Sequence, residues 1–177
     1  MSKEYEELVN HLSNALKCAK ELGLGNGLAK GKIGEIMLAN YLGHKLELGD
    51  KGADGVDNNG LRFEYKVSHD NQFNFNFGHA RPEGEIEQLV DKHFEGLSGA
   101  YCGLMHEGKL MKIVFCPIEG ITSFLKDHLR KVKGKTFQKR FDPIEEFMNK
   151  VDGAEWILKT DFHIDSAPRR AAKAQKI

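Results

Sequence analysis

Two carboxylates and an ammonium fall within one short stretch of the chain: Asp54, Glu64 and Lys66. Residues 61–68 alternate in character. On a strand, Leu61, Phe63, Tyr65 and Val67 would share one face, and Arg62, Glu64, Lys66 and Ser68 the other. Asn58-Asn59-Gly60 reads as a three-residue hairpin loop, with Gly60 where a left-handed residue is needed. Closing that loop pairs Asp57 with Leu61 and, counting back, sets Asp54 opposite Glu64, where Cβ atoms lie about 4.5–5.5 Å apart. Carboxylates that close repel unless a cation sits between them. Oxygen donors with room for water suit Mg²⁺, with Mn²⁺ able to substitute. Lys66 beside them could hold or polarise a water, and a bound ion would lower that water's pKa and neutralise charge building on a phosphate. These are the parts needed to hydrolyse a phosphodiester. The same residues would also make a surface salt-bridge cluster of about 0.2–1 kcal/mol per pair. The Glu-x-Lys spacing carries nothing alone, since it recurs at Glu107-Gly108-Lys109.

A second carboxylate source lies upstream. Glu35 is the sole charge between Ile33 and Leu42 in an otherwise apolar segment. It needs a partner or a proton there, and a metal site would supply one, as would partial solvent at a helix N-terminus. Lys30 and Lys32 stand at the start of the same helix, where cations are electrostatically misplaced unless a phosphate docks on the helix N–H groups or both side chains reach into water.

Glu35, then Asp54, then Glu64-Tyr65-Lys66 resembles the PD-(D/E)XK nuclease superfamily, with Ala53-Asp54 standing where that family often has Pro-Asp. The run Asp54-Gly55-Val56-Asp57-Asn58-Asn59-Gly60 followed by Glu64-Tyr65-Lys66 is most similar to the active-site hairpin of small dimeric type II restriction endonucleases. The likeness covers about residues 30–77. It implies a restriction-endonuclease-like fold, a Mg²⁺-dependent endonuclease acting on double-stranded DNA, and a homodimer. Asp54 and Glu64 would bind metal, Lys66 would assist the water, and Glu35 would be an accessory carboxylate. A Holliday junction resolvase or repair nuclease would share this chemistry, and a noncatalytic DNA-binding module could share the fold.

DNA contacts are expected from Ser68, His69, Asn71, Gln72, Asn74, Asn76 and Arg81. Asn and Gln pair bidentately with adenine and Arg with guanine. An ordinary half-buried strand would explain the Asn–Phe alternation of 72–77 equally well. The stretch 126–140 is basic, with Asp127 its only acid. Arg130, Lys131, Lys133 and Lys135 within it, together with Lys30 and Lys32, would position phosphates or form a solvated face.

The chain has 177 residues, 29% charged and 40% hydrophobic, with formal net charge zero. That suits one domain and excludes a uniformly basic nucleic-acid binder. No apolar run nears the ~20 residues of a membrane span, and the Lys- and Glu-rich start is unlike a secretory signal. Cys18, Cys102 and Cys116, odd in number and far apart, fit a reducing cytoplasm better than a disulfide framework. Gly23-Leu24-Gly25 follows a helix rather than a strand, and Gly134-Lys135-Thr136 lacks the earlier glycine of a P-loop, so neither is a nucleotide loop.

To hold the hairpin, the pattern predicts helices at 3–22 and 30–42, strands at 44–48, 55–57, 61–68 and 72–77, and a helix at 83–94. A second hairpin follows at 100–115, then helices at 118–132 and 143–151 with a basic loop between, and a strand at 155–162. This order gives an α/β domain over 1–165 with a central mixed sheet flanked by helices, its catalytic core about 30–116, and a mobile basic tail at 166–177.

Overall fold

The computed structural model describes residues 3–23, 30–47, 52–69, 73–77, 86–132, 138–141 and 144–162. The elements run α1 (Lys3–Glu21), α2 (Lys30–Leu42), β1 (Lys45–Leu46), β2 (Gly55–Val56), β3 (Arg62–Ser68), β4 (Phe73–Asn76), α3 (Ile86–His93), β5 (Gly99–His106), β6 (Lys109–Pro117), α4 (Ile118–Val132), β7 (Gln138–Phe141), α5 (Ile144–Lys150) and β8 (Glu155–Lys159). Six strands form one mixed sheet in the order β1-β2-β3-β5-β6-β8, and β4 pairs with β7 in a separate ribbon. Every pairing in the large sheet is antiparallel except β3 with β5. Parallel neighbours need a long crossover, and the chain uses it to carry β4 and α3 across one face.

Alternation along the strands divides the apolar side chains between two cores. Leu38 and Ala39 of α2 bury Phe63, Tyr65 and Ile113 on one face. Val90, Phe94, Ile121, Leu125, Ile144 and Phe147 from the helical side, with Phe73 and Phe75 of β4, bury Ala100, Cys102, Leu104, Val114 and Cys116 on the other. The result is an α/β domain whose mixed sheet has helices on both sides. Glu64, Lys66 and Ser68 alternate with the α2-facing residues of β3 and so belong to the second face.

Two helices leave apolar side chains uncovered by the described residues. The nearly all-apolar α2 buries Leu38 and Ala39 while Ile33 and Tyr41 are exposed. In α1, Leu12 and Leu16 are exposed and Ala19 is buried. The basic loop expected after α4 needs correction, because residues 138–141 form β7. The 166–177 tail lies outside the described residues.

α2 reaches β3 through Gly34. A Cβ there would stand 2.6 Å from Val67 Cβ and 2.8 Å from its Cγ1. Both positions lie on regular elements, so neither can move alone. Gly34→Ala is expected to lower stability by about 1–3 kcal/mol, the overpacking cost outweighing the helix-propensity gain. Adding Val67→Ala should recover much of the loss in urea titrations. Simple additivity of the two changes would show that the contact is not what requires glycine.

Candidate active site

The site is built on the β2–β3 hairpin. Gly55 faces Phe63 and Val56 faces Arg62, the register expected from the turn. Asp57 N–H donates to Leu61 O at 3.0 Å, and Gly60 holds φ 83°. The Asp57 carboxylate accepts the N–H groups of Asn59 at 2.9 Å and Leu61 at 2.8 Å, so Asp57 shapes the turn. The ladder stops at Gly55. Asp54 N–H donates to Phe63 O at 2.9 Å, and its Oδ2 accepts Tyr65 N–H at 2.7 Å. The backbone of β3 thus aims the Asp54 carboxylate.

Gly55 admits this geometry. A Cβ there would lie 2.0 Å from the Tyr65 hydroxyl, which meets His44 Nδ1 at 2.8 Å. Burial first, then the charges of Tyr101 and Asp54, push the Tyr65 phenol far above its ordinary range, so it stays protonated. The Tyr65–His44 contact clamps β3 to the chain beyond α2.

Glu64 is 6% exposed. Its Oε1 is ion-paired with Lys66 Nζ and lies 3.4 Å from His93 Nε2. Lys66 Nζ also lies 5.4 Å from the Phe75 ring centre. His93 packs edge-on to Phe77 and Phe94, which with Phe75 wall this side of the site.

The two carboxylates are pushed apart. Burial, then the Glu64 charge, raises the Asp54 carboxyl from 3.8 to about 6; Glu35 adds to the rise, while the Tyr65 N–H and Lys66 oppose it. Burial pushes Glu64 upward too, but His93 and Lys66 outweigh it and hold that carboxyl below its ordinary value. Burial pushes Lys66 down, yet Glu64 and Asp54 hold it above its ordinary value. Lys66 is therefore an ammonium at neutral pH, a donor to water or phosphate and not a base.

Among the described residues, Asp54 Oδ1 and Glu64 Oε2 carry no hydrogen bond, while the companion oxygen of each is held. No group of three or more His, Cys, Asp and Glu side chains is arranged to hold a metal among those residues. Mg²⁺ commonly takes one or two carboxylates and keeps water for the rest, so a mutually repelling pair of carboxylates fits such an ion.

The other predicted residues are placed as follows. Glu35 is near enough to act on Asp54 and is ion-paired with Lys32, so Lys32 has a carboxylate partner at the helix N-terminus. The Lys30 side chain, Asn71, Gln72, Arg81, Lys133 and Lys135 lie outside the described residues and side chains. Ser68 is buried at the end of β3, His69 is half-buried, and Asn74 is exposed between the buried Phe73 and Phe75. In the ribbon, Asn74 faces Arg140 and Asn76 faces Gln138.

Arg130 is tied to Glu87 of α3 and to Asp127 at 2.8 Å, and Lys126 is 2.6 Å from Asp91. These cations clamp α3 to α4; Lys131 is exposed. Sequence reasoning missed His93, Tyr65–His44 and these cross-helix pairs. An isolated His near the end of an amphipathic helix carries no spacing signal. The chain matches no protein-family model, and no curated protein matches it.

Proposed function

We propose that the chain is a divalent-cation-dependent DNA endonuclease, hydrolysing phosphodiester bonds in double-stranded DNA at a specific site, in the manner of type II restriction endonucleases of the PD-(D/E)XK superfamily. The observation that carries this reading is the convergence of Asp54 and Glu64, each with one oxygen held and one left, beside an ammonium that stays charged. Asp54 and Glu64 would hold Mg²⁺, or Mn²⁺ in its place, which when bound supplies an acidified water and neutralises phosphate charge. Lys66 donates to the attacking water or a phosphate oxygen and offsets charge that grows in the transition state. The Phe75–Phe77–Phe94 wall shields one side of the Lys66–Glu64 pair and strengthens it.

The β4–β7 ribbon supports DNA as the substrate. A two-stranded ribbon fits the major groove, and this one pairs Asn74 and Asn76 with a strand carrying Lys139 and Arg140. Each active site cuts one strand, so a symmetric duplex cut calls for a homodimer.

The test is cleavage of methylated and unmethylated plasmid and phage DNA, and of a four-way junction, in 10 mM Mg²⁺ (a concentration of about that order is ample for millimolar sites) or EDTA. Discrete fragments in Mg²⁺ alone are expected. Cutting confined to the junction would make the protein a resolvase, and cation-independent binding without cutting of any substrate would overturn the nuclease reading.

A further inference from the structure

We infer that His93 is a positioning residue for Glu64, holding the carboxylate when Lys66 turns to its water or phosphate; the inference rests on the proposed nuclease reading of the site. Lys66 Nζ and His93 Nε2 both face the same oxygen, Glu64 Oε1. Among the described residues, Lys66 makes the short hydrogen bond to that oxygen, and His93 acts on it from farther off. His93 Nε2 is shut off from solvent and has no well-aligned hydrogen-bond partner among the described residues, although it lies only 3.4 Å from that oxygen. A buried polar atom left without a partner is costly, and such a position needs a reason.

The work asked of Lys66 supplies one. The ammonium cannot direct its protons fully at Glu64 and also at the water that a bound cation would bring, with or without DNA. As it turns, Glu64 loses its closest donor while remaining 6% exposed. With its ring proton on Nε2, His93 takes over Oε1 by a small approach from 3.4 Å, and Oε2 keeps its aim. Packing supports this role. His93 closes α3, its ring held edge-on at 5.1 Å from Phe77 and 4.8 Å from Phe94. The ring is thus fixed by aromatic contacts independent of Glu64, as a positioning group requires.

Two substitutions separate the donor from the ring. His93→Phe keeps an aromatic ring between Phe77 and Phe94 and removes the nitrogen; His93→Gln supplies a neutral N–H at the corresponding reach. Mn²⁺ binding to the DNA-free protein, followed by the electron paramagnetic resonance of free Mn²⁺, reads the site without catalysis. Phe is expected to weaken Mn²⁺ about tenfold and to lower kcat by about as much at unchanged KM for DNA, the usual scale for a residue that orients a ligand. Gln should stay within about threefold of wild type in both, by the same scale. Equal Mn²⁺ affinity in wild type and His93→Phe would overturn the role, as would a Gln variant as weak as Phe. Wild type that binds Mn²⁺ but cuts no DNA would defeat the nuclease reading and leave the His93 comparison standing. Wild type that binds no Mn²⁺ would overturn both.

Discussion

Asp54→Asn is expected to abolish DNA cleavage and to make the metal-free protein more stable. Asp54 carries the largest electrostatic penalty in the site, its carboxyl raised from 3.8 to about 6 by burial and by Glu64. A raised carboxyl binds a proton more tightly in the folded chain than in the unfolded one. The stability this gives is fully present below pH 4 and is lost as pH rises through about 6. At pH 8 in EDTA wild type therefore carries a penalty of about 3 kcal/mol that the neutral amide escapes. The Asn oxygen can still accept the Tyr65 N–H, so the hairpin should keep its shape.

Thermal unfolding in EDTA at pH 5 and pH 8 measures this directly. The variant's advantage should grow toward pH 8, by several degrees in Tm for a domain of this size. Added Mg²⁺ should then raise wild type and leave the variant unmoved; a site filled at ten times its Kd gains about 1.4 kcal/mol. A Tm difference that ignores pH would show that Asp54 is not penalised, and a variant that still cuts would remove it from the site.

The second large effect is expected of Lys66→Met, which keeps the length of the stem and deletes the charge. Cleavage should fall by about 10²–10⁴-fold, the range for losing a donor used in the transition state. The metal-free protein should also lose stability, because Glu64 is left buried beside Asp54 without its main counter-charge; breaking such pairs costs about 3–5 kcal/mol when fully buried, and less here where the Lys66 side chain is 24% exposed. Mg²⁺ should restore more stability to the variant than to wild type, since cation and ammonium offset the same charge. DNA binding in Ca²⁺, followed by fluorescence anisotropy, should survive. A variant that cuts within threefold of wild type would exclude Lys66 from the reaction.

The hairpin was legible because its causes are local. A loop of Asn58-Asn59-Gly60 and a period of two over 61–68 fix the register before anything else is placed. The helices at 3–21, 30–42 and 118–132 were legible for the same reason, being long and periodic. β7 was not, because Gln138-Lys139-Arg140-Phe141 has a single apolar residue and becomes a strand through pairing with β4, 66 positions earlier by the Asn74–Arg140 register. The basic run 126–140 read as an open patch because Glu87 and Asp91 belong to another helix and meet Lys126 and Arg130 only after packing. His93 was hidden likewise. It joins Glu64 because the crossover between β3 and β5 lays α3 over that face of the sheet.

The contacts that aim Asp54 all join residues near one another in the chain: Asp57 to Leu61, Asp54 to Phe63, Tyr65 to Asp54. This confers a form of heritability on the site. A lineage can redraw α1, the β4–β7 ribbon or the loops between them while the hairpin passes down with its carboxylates still in register. Glu35 and His93 arrive from distant segments and depend on how the outer layers pack. Descendants of one ancestral site are expected to agree at Asp54, Glu64 and Lys66 and to diverge at those two positions, where each surrounding architecture must supply its own support.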